Sequence, residues 1–209
     1  MRSDVDAQTI AYLNARKGII TRRFVWMIGK DRTTGAEVSG GFSNWEFNVD
    51  AEVISGQTRL PVVRTYVGLG SLIDVDDIAL VSDLSIQTVR IKLSQTNASV
   101  NNMIRGYDAR NAKVEIHYGL LDLDTRKLVA RPLPHFVGIV NKAPVTRPKT
   151  GSSGGVALEC VSRTRELTII NPAKKSDETQ KLRSGDRLRQ YSGVAGSWSI
   201  YWGEKKQDQ

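Results

Sequence analysis

Val89-Arg90-Ile91-Lys92-Leu93-Ser94 and, further on, Lys113-Val114-Glu115-Ile116-His117-Tyr118 change from apolar to polar residue by residue. A period of two puts one side chain on each face of a strand in turn, so both segments predict strands with one dry and one wet face. Such strands belong to an antiparallel sheet covered on one side. On this reading Glu115 and His117 face solvent. Between the two, Asn97 can cap a helix carrying Val100, Met103, Ile104 and Tyr107 at helical spacing, with Gly106 near its end.

Working outward, Phe24, Trp26 and Ile28 alternate with Val25 and Met27, so both faces are apolar and the strand should be central. Lys30 to Gly35 carries turn chemistry, and Trp45, Phe47 and Val49 alternate with Glu46 and Asn48 as a half-buried strand. Asp122 to Arg126 reads as a hairpin tip between Leu120-Leu121 and Leu128-Val129. Phe136–Val140 and Val156–Val161 are further strands, separated by a loop with Pro144, Pro148 and Gly151-Ser152-Ser153-Gly154-Gly155. Trp198, Ile200 and Trp202 form a last strand before a polar tail. At the other end Ser3 to Arg16 predicts a short helix, capped by Ser3 with Asp6 in a capping box, carrying a weak Val5, Ile10, Leu13 stripe and stopped at Gly18. The fold class is therefore mainly β: antiparallel barrel or sandwich modules with one N-terminal helix and one or two short helices. Three regions are expected: a helix over 1–20, the β region over 21–170, and a basic C-terminal arm over 171–209 ending in a short strand.

The chain has 209 residues and a formal charge of +8. No apolar run approaches the ~20 residues of a membrane-spanning helix, and the polar start predicts no signal peptide. A soluble protein made in the cytoplasm is expected. Between Lys142 and Arg189 eleven basic residues face five acids. That bias suits nucleic acid, an acidic membrane face or an acidic protein partner, without choosing among them. A nucleic-acid-binding barrel should interleave aromatic with basic residues on one strand face. Arg22-Arg23-Phe24-Val25-Trp26 is the one such place, and its alternation suits a core better.

Catalytic chemistry finds little support. Cys160 stands in register with Val156 and Leu158 on the face expected to be buried, and one cysteine makes no internal disulfide or four-thiolate metal site. Both histidines, His117 and His135, precede it, whereas cell-wall peptidases that pair these residues place the cysteine first; the two read as surface or loop residues. Asp74-Val75-Asp76-Asp77 lacks the Gly and the terminal Glu of a calcium loop. Gly68-Leu69-Gly70 is half of a phosphate-binding fingerprint without its third Gly or a βαβ unit. No catalytic residue, metal ligand or cofactor site is assigned.

Several stretches, in this order along the chain, resemble a tail-hub family of long-tailed phages. They are Tyr66-Val67-Gly68-Leu69-Gly70, Val75-Asp76-Asp77-Ile78, Val89 to Ser94, Met103 to Val114, and Phe136-Val137-Gly138-Ile139-Val140 as its F-x-G-x-[IV] strand. Leu158 to Ser162, Ser176 to Lys181, Gly185-Asp186-Arg187 and Ile200-Tyr201-Trp202-Gly203 follow. The likeness covers roughly 65–203. That family includes hub proteins of gene transfer agents, and lambda's minor tail protein L is a more distant functional counterpart. The resemblance implies a structural, non-enzymatic virion protein: a homotrimer at the tail tip, joining the distal tail protein ring to the central tip or fibre protein. It would be assembled in the bacterial host cytoplasm without stable nucleic-acid binding. Some relatives hold an iron–sulfur cluster on a cysteine-rich C-terminal part, and with Cys160 alone that cofactor is expected to be absent. A hexameric distal tail ring is the alternative. Lys174, Lys175, Arg183, Arg187 and Arg189 of the arm, with Trp198 and Trp202, are the expected subunit or partner contacts.

Overall fold

The computed structural model describes residues 5–79, 81, 83–146, 155–170, 173–197 and 203. They fall into two compact units, one up to Thr168 and one from Ile169. In order, the first holds helix α1 (Ala7–Asn14), strands β1 (Ile20–Asp31), β2 (Glu37–Ser43), β3 (Val49–Ile54), β4 (Pro61–Tyr66), β5 (Leu72–Val75) and β6 (Thr88–Ser94), and helix α2 (Ala98–Asn101). A π turn (Asn102–Gly106) leads into β7 (Tyr107–Leu121), β8 (Leu133–Lys142), β9 (Val145–Thr146) and β10 (Gly155–Ser162), and a 3-10 turn (Arg163–Thr168) closes it.

The architecture is mainly β, a curled antiparallel sheet forming a half-barrel. Strand order is β2-β1-β7-β8-β10-β6-β5, with β9 beside β10. The register slips between Ile28 and Lys30, between Ile116 and His117, and between Glu159 and Cys160. Such bulges sharpen the twist that curls a sheet. Val67 bridges to Phe42 of β2, and the Ser71 carbonyl accepts the Ser94 amide of β6, so the 67–71 segment links the two ends of the sheet.

The alternating strand over Val89–Leu93 is present, with Val89, Ile91 and Leu93 buried and Arg90 and Lys92 exposed. β1 is flanked by β2 and β7, the central place its two apolar faces predict. Val25 and Met27 join one core with Ile91, Leu93, Val114, Ile116, Leu158 and Cys160, into which α2 and the π turn set Val100, Met103 and Ile104. Phe24 joins the opposite core with Ala51, Val53 and Tyr66 of the β3–β4 hairpin, against which Trp26 and Trp45 pack.

That hairpin corrects the main expectation for β7. Glu115 and His117 are each 1% exposed, because β3 and β4 cover the face on which they stand. The expected strand through Trp45 and Phe47 is a bend, and β3 starts only at Val49. Asparagines break the alternation: the Asn44 side-chain oxygen accepts the Arg23 amide at 2.7 Å, and that of Asn48 accepts the Gly68 amide at 3.0 Å. A Cβ on Gly68 would overlap the Phe47 and Trp45 carbonyls. With Leu69 and Gly70 at φ 51° and 71°, the Gly68–Gly70 segment is a tight crossing of chains.

The helix ends also differ. Asp6 stands at the N-cap of α1, but its carboxylate bonds Arg131, at 2.8 and 3.2 Å, in place of the helix amides. Ser3 lies outside the described residues. Arg16, at φ 50°, turns the chain after α1 ahead of Gly18. Asn97 does cap α2, accepting the Ser99 and Val100 amides. Tyr107 already belongs to β7. At the hairpin tip Asp122 accepts the Asp124 and Thr125 amides, and Arg126 takes φ 56°.

The described residues of the second unit form helical turns, with Ser176 capping helix α3 (Asp177–Lys181).

Candidate functional site

The most polar interior point lies under the β3–β4 hairpin. Arg64, the one charged residue of β4, turns inward with Tyr66, and its guanidinium meets Glu115 of β7 at 2.7 and 3.4 Å. It also lies 4.8 Å from the Trp26 ring. Ser55, just beyond β3, reaches the same carboxylate at 3.5 Å, and His117 Nε2 donates to the Ile54 carbonyl at 3.1 Å. Burial pushes the Glu115 carboxyl up, but the Arg64 guanidinium and the Gly56 amide outweigh it and hold it below its ordinary value. Burial lowers His117 below its ordinary value, against the pull of the Ile54 carbonyl and Glu115. Only a protonated Nε2 can donate to a carbonyl, so the buried Nδ1, which has no partner among the described residues, stays bare.

Serine, histidine and glutamate together suggest an acyl-transfer triad, and the geometry opposes it. A triad needs the histidine between nucleophile and carboxylate. Here Ser55 contacts Glu115 directly, and His117 is turned to a backbone carbonyl. What the arrangement does is fasten the hairpin across the sheet.

It also predicts how stability follows pH. Unfolded His117 takes a proton near its ordinary value of about 6.5, while the folded ring resists it. The unfolded state therefore binds more protons as pH falls below that point, and stability drops. Glu115, held low in the fold, adds a second loss below about pH 4.5 as its pair with Arg64 is protonated away. Urea midpoints should be flat between about pH 7 and pH 8 and fall in two stages in acid; His117→Asn should remove the first stage. A midpoint constant from pH 7 to 5 would refute this account.

The other residues singled out in the sequence fall elsewhere. Cys160 is fully buried, and burial pushes its thiol up to about 12. His135 stacks on Tyr118, ring centroids 4.3 Å apart. Asp74 and Asp77 pair with Arg23 at 3.3 and 3.4 Å, and Asp74 with Lys92 at 3.6 Å. Arg23 also donates to the Val75 carbonyl, while the Asp74 carboxylate accepts the Val75 amide at 2.9 Å. The outer edge of β5 is thus capped by side chains at Val75. Among the described residues no group of three metal-ligating side chains occurs, and no helix is long and apolar enough to cross a membrane.

In the second unit Lys174, Lys175, Arg183 and Arg189 are exposed. Arg187 pairs with Asp177 at 3.0 Å, and Asp177 is shared with Lys181 at 3.4 Å. Trp198 and Trp202, with the strand expected around them, lie outside the described residues. Leu182 and Leu188 are each 86% exposed, and Tyr191 and Val194 are exposed as well. No described side chain of this unit is buried. Arg64 as the partner of Glu115 escaped the sequence reading; a lone charge in an apolar strand was its only signal.

The fold defines a class: a half-barrel strapped by a hairpin, with no assembled catalytic group among the described residues. No protein-family profile and no curated protein sequence matches the chain. Among solved structures it is similar to a chain of the "Virion of native gene transfer agent (GTA) particle", with a TM-score of 0.51 and 15% identity. The match covers 82% of this chain and 50% of that one. At that identity the likeness is one of fold, and this chain spans half the length of the chain it matches.

Proposed function

We propose that this protein is a structural subunit of a phage-like virion, placed at the tail tip as the hub between the distal end of the tail tube and the central tip or fibre protein. The observation that carries this reading is the half-barrel shared over 82% of the chain with a virion component. The ordered motifs from Tyr66 to Gly203 support the hub in particular. The subunit acts by binding and has no catalytic role. It forms a homotrimer, with the distal tail ring and the central tip protein as its neighbours, and resides in the virion after assembly in the host cytoplasm.

The basic C-terminal segment supplies the contacts. Lys174, Lys175, Arg183, Arg187 and Arg189, with Trp198 and Trp202, lie across a neighbouring subunit and pair with its acids. An apolar set as exposed as Leu182, Leu188 and Tyr191 is normal for a surface awaiting a partner.

Light scattering behind a sizing column should give a trimer that persists in high salt. A hexamer would move the assignment to the distal tail ring. Deleting 174–209 should leave a folded protein that no longer enters tails; normal infectious tails from that deletion would refute the role given to the segment.

A further inference from the structure

Basic side chains far apart in the sequence converge on one end of the half-barrel. The turn after β1 brings Arg32, the π turn Arg105, the start of β7 Arg110 and the end of β8 Lys142, lining an open cleft of about 640 Å³. A second cleft, about 360 Å³, adjoins it through Asp108 and Arg110 and adds Lys30 and Lys113. The acids in these walls are Asp108 and Glu37. Glu37 is taken by Lys113 at 3.1 Å, and Lys142 has Glu159 at 3.8 Å. Arg32 donates to the Tyr107 carbonyl at 3.3 Å. Lys30, Arg105 and Arg110 are exposed and have no ion pair among the described residues. Like charges gathered on one surface without counter-charges raise the potential there and draw anions.

We propose that this end contacts the phosphodiester backbone of duplex DNA, weakly and without reading its sequence. Three features select that ligand. Guanidinium forks match the oxygens of phosphate. Among the described residues the walls hold no aromatic side chain, so they offer no platform on which single-stranded bases could stack. Their one exposed aliphatic residue among those described is Val145, at 39%, a residue type rarely used as the anchor of a protein interface; Ile104 is buried. Two adjoining clefts suit successive phosphates along one strand. The site owes nothing to the basic stretch from Lys142 to Arg189 beyond Lys142 itself, and it is independent of the hub assignment.

The test is fluorescence anisotropy of a random-sequence 20-base-pair duplex with the full chain between 50 and 200 mM NaCl. With the three unpaired cations Lys30, Arg105 and Arg110 engaged, the slope of log affinity on log salt should be about −2.7, a loss of about 40-fold over that range. Arg105→Ala with Arg110→Ala should flatten the slope by about two and weaken binding at 50 mM salt by at least about tenfold. Lys30→Ala, on a different element, should flatten it by about one. Thermal melting of each variant checks that the fold is intact. Lys174→Ala with Lys175→Ala should leave the slope unchanged. No binding at 50 mM salt would overturn the proposal, as would a slope that ignores Arg105 and Arg110 or follows Lys174 and Lys175. Displacement by polyglutamate at equal charge would overturn it in favour of an acidic protein. None of these outcomes bears on the light-scattering result.

Discussion

Arg64→Ala should cost about 3–5 kcal/mol in urea unfolding, enough to leave much of the protein unfolded at 37 °C. The loss comes from what stays behind. Glu115 is 1% exposed and accepts two hydrogen bonds from Arg64, so truncating the arginine strands a carboxylate between sheet and hairpin. Coulomb attraction between the pair is large in a dry site, but so is the cost of bringing both charges there, and the two nearly cancel. The pair therefore contributes little net stability while making either single removal severe. Arg64→Met combined with Glu115→Leu should recover most of the loss. A double variant as unstable as Arg64→Ala would show that the pair stabilises the fold in its own right, and a single variant within 1 kcal/mol of the parent would show that water reaches the site.

Gly138→Ala should prevent folding or cost about 3 kcal/mol or more, at the upper end of overpacking effects. The added methyl group would overlap the Val161 carbonyl oxygen on β10 and come within 2.7–2.8 Å of the Phe136 ring. Relief would require moving backbone in the middle of the sheet, where β8 is paired on both sides. Glycine's missing side chain lets Phe136, two residues earlier on the same face, lay its ring over the gap. This gives a physical reason for the Phe136-Val137-Gly138-Ile139-Val140 pattern: the aromatic and the glycine work as one unit. Phe136→Ala should therefore also destabilise by a few kcal/mol, and the two substitutions together should cost less than their sum. A Gly138→Ala protein with an unchanged urea midpoint would refute the packing account.

The sequence was read most faithfully where one face of a strand meets water. Val89 to Ser94 keeps Arg90 and Lys92 exposed, so alternation and burial coincide. The same rule failed at Glu115 and His117, whose pattern is as regular. Alternation reports polarity, and it cannot register that a separate hairpin brings a counter-charge to cover the polar face. Trp45 to Val49 misled differently: Asn44 and Asn48 bind backbone amides and bend the chain, a local competition that hydrophobic period ignores. The basic end was beyond sequence reading for a topological reason. Arg32, Arg105 and Lys142 become neighbours only because β1, β7 and β8 lie side by side.

The cap on β5 bears on how copies of this protein can add to one another. A bare strand edge is a template, and each copy that pairs with it offers the next one a fresh edge, so growth has no natural end. Arg23 and Asp74 occupy the Val75 carbonyl and amide and withdraw that template where the strand finishes. The same two residues that tidy a strand end thus leave its last carbonyl and amide closed to strand-to-strand addition.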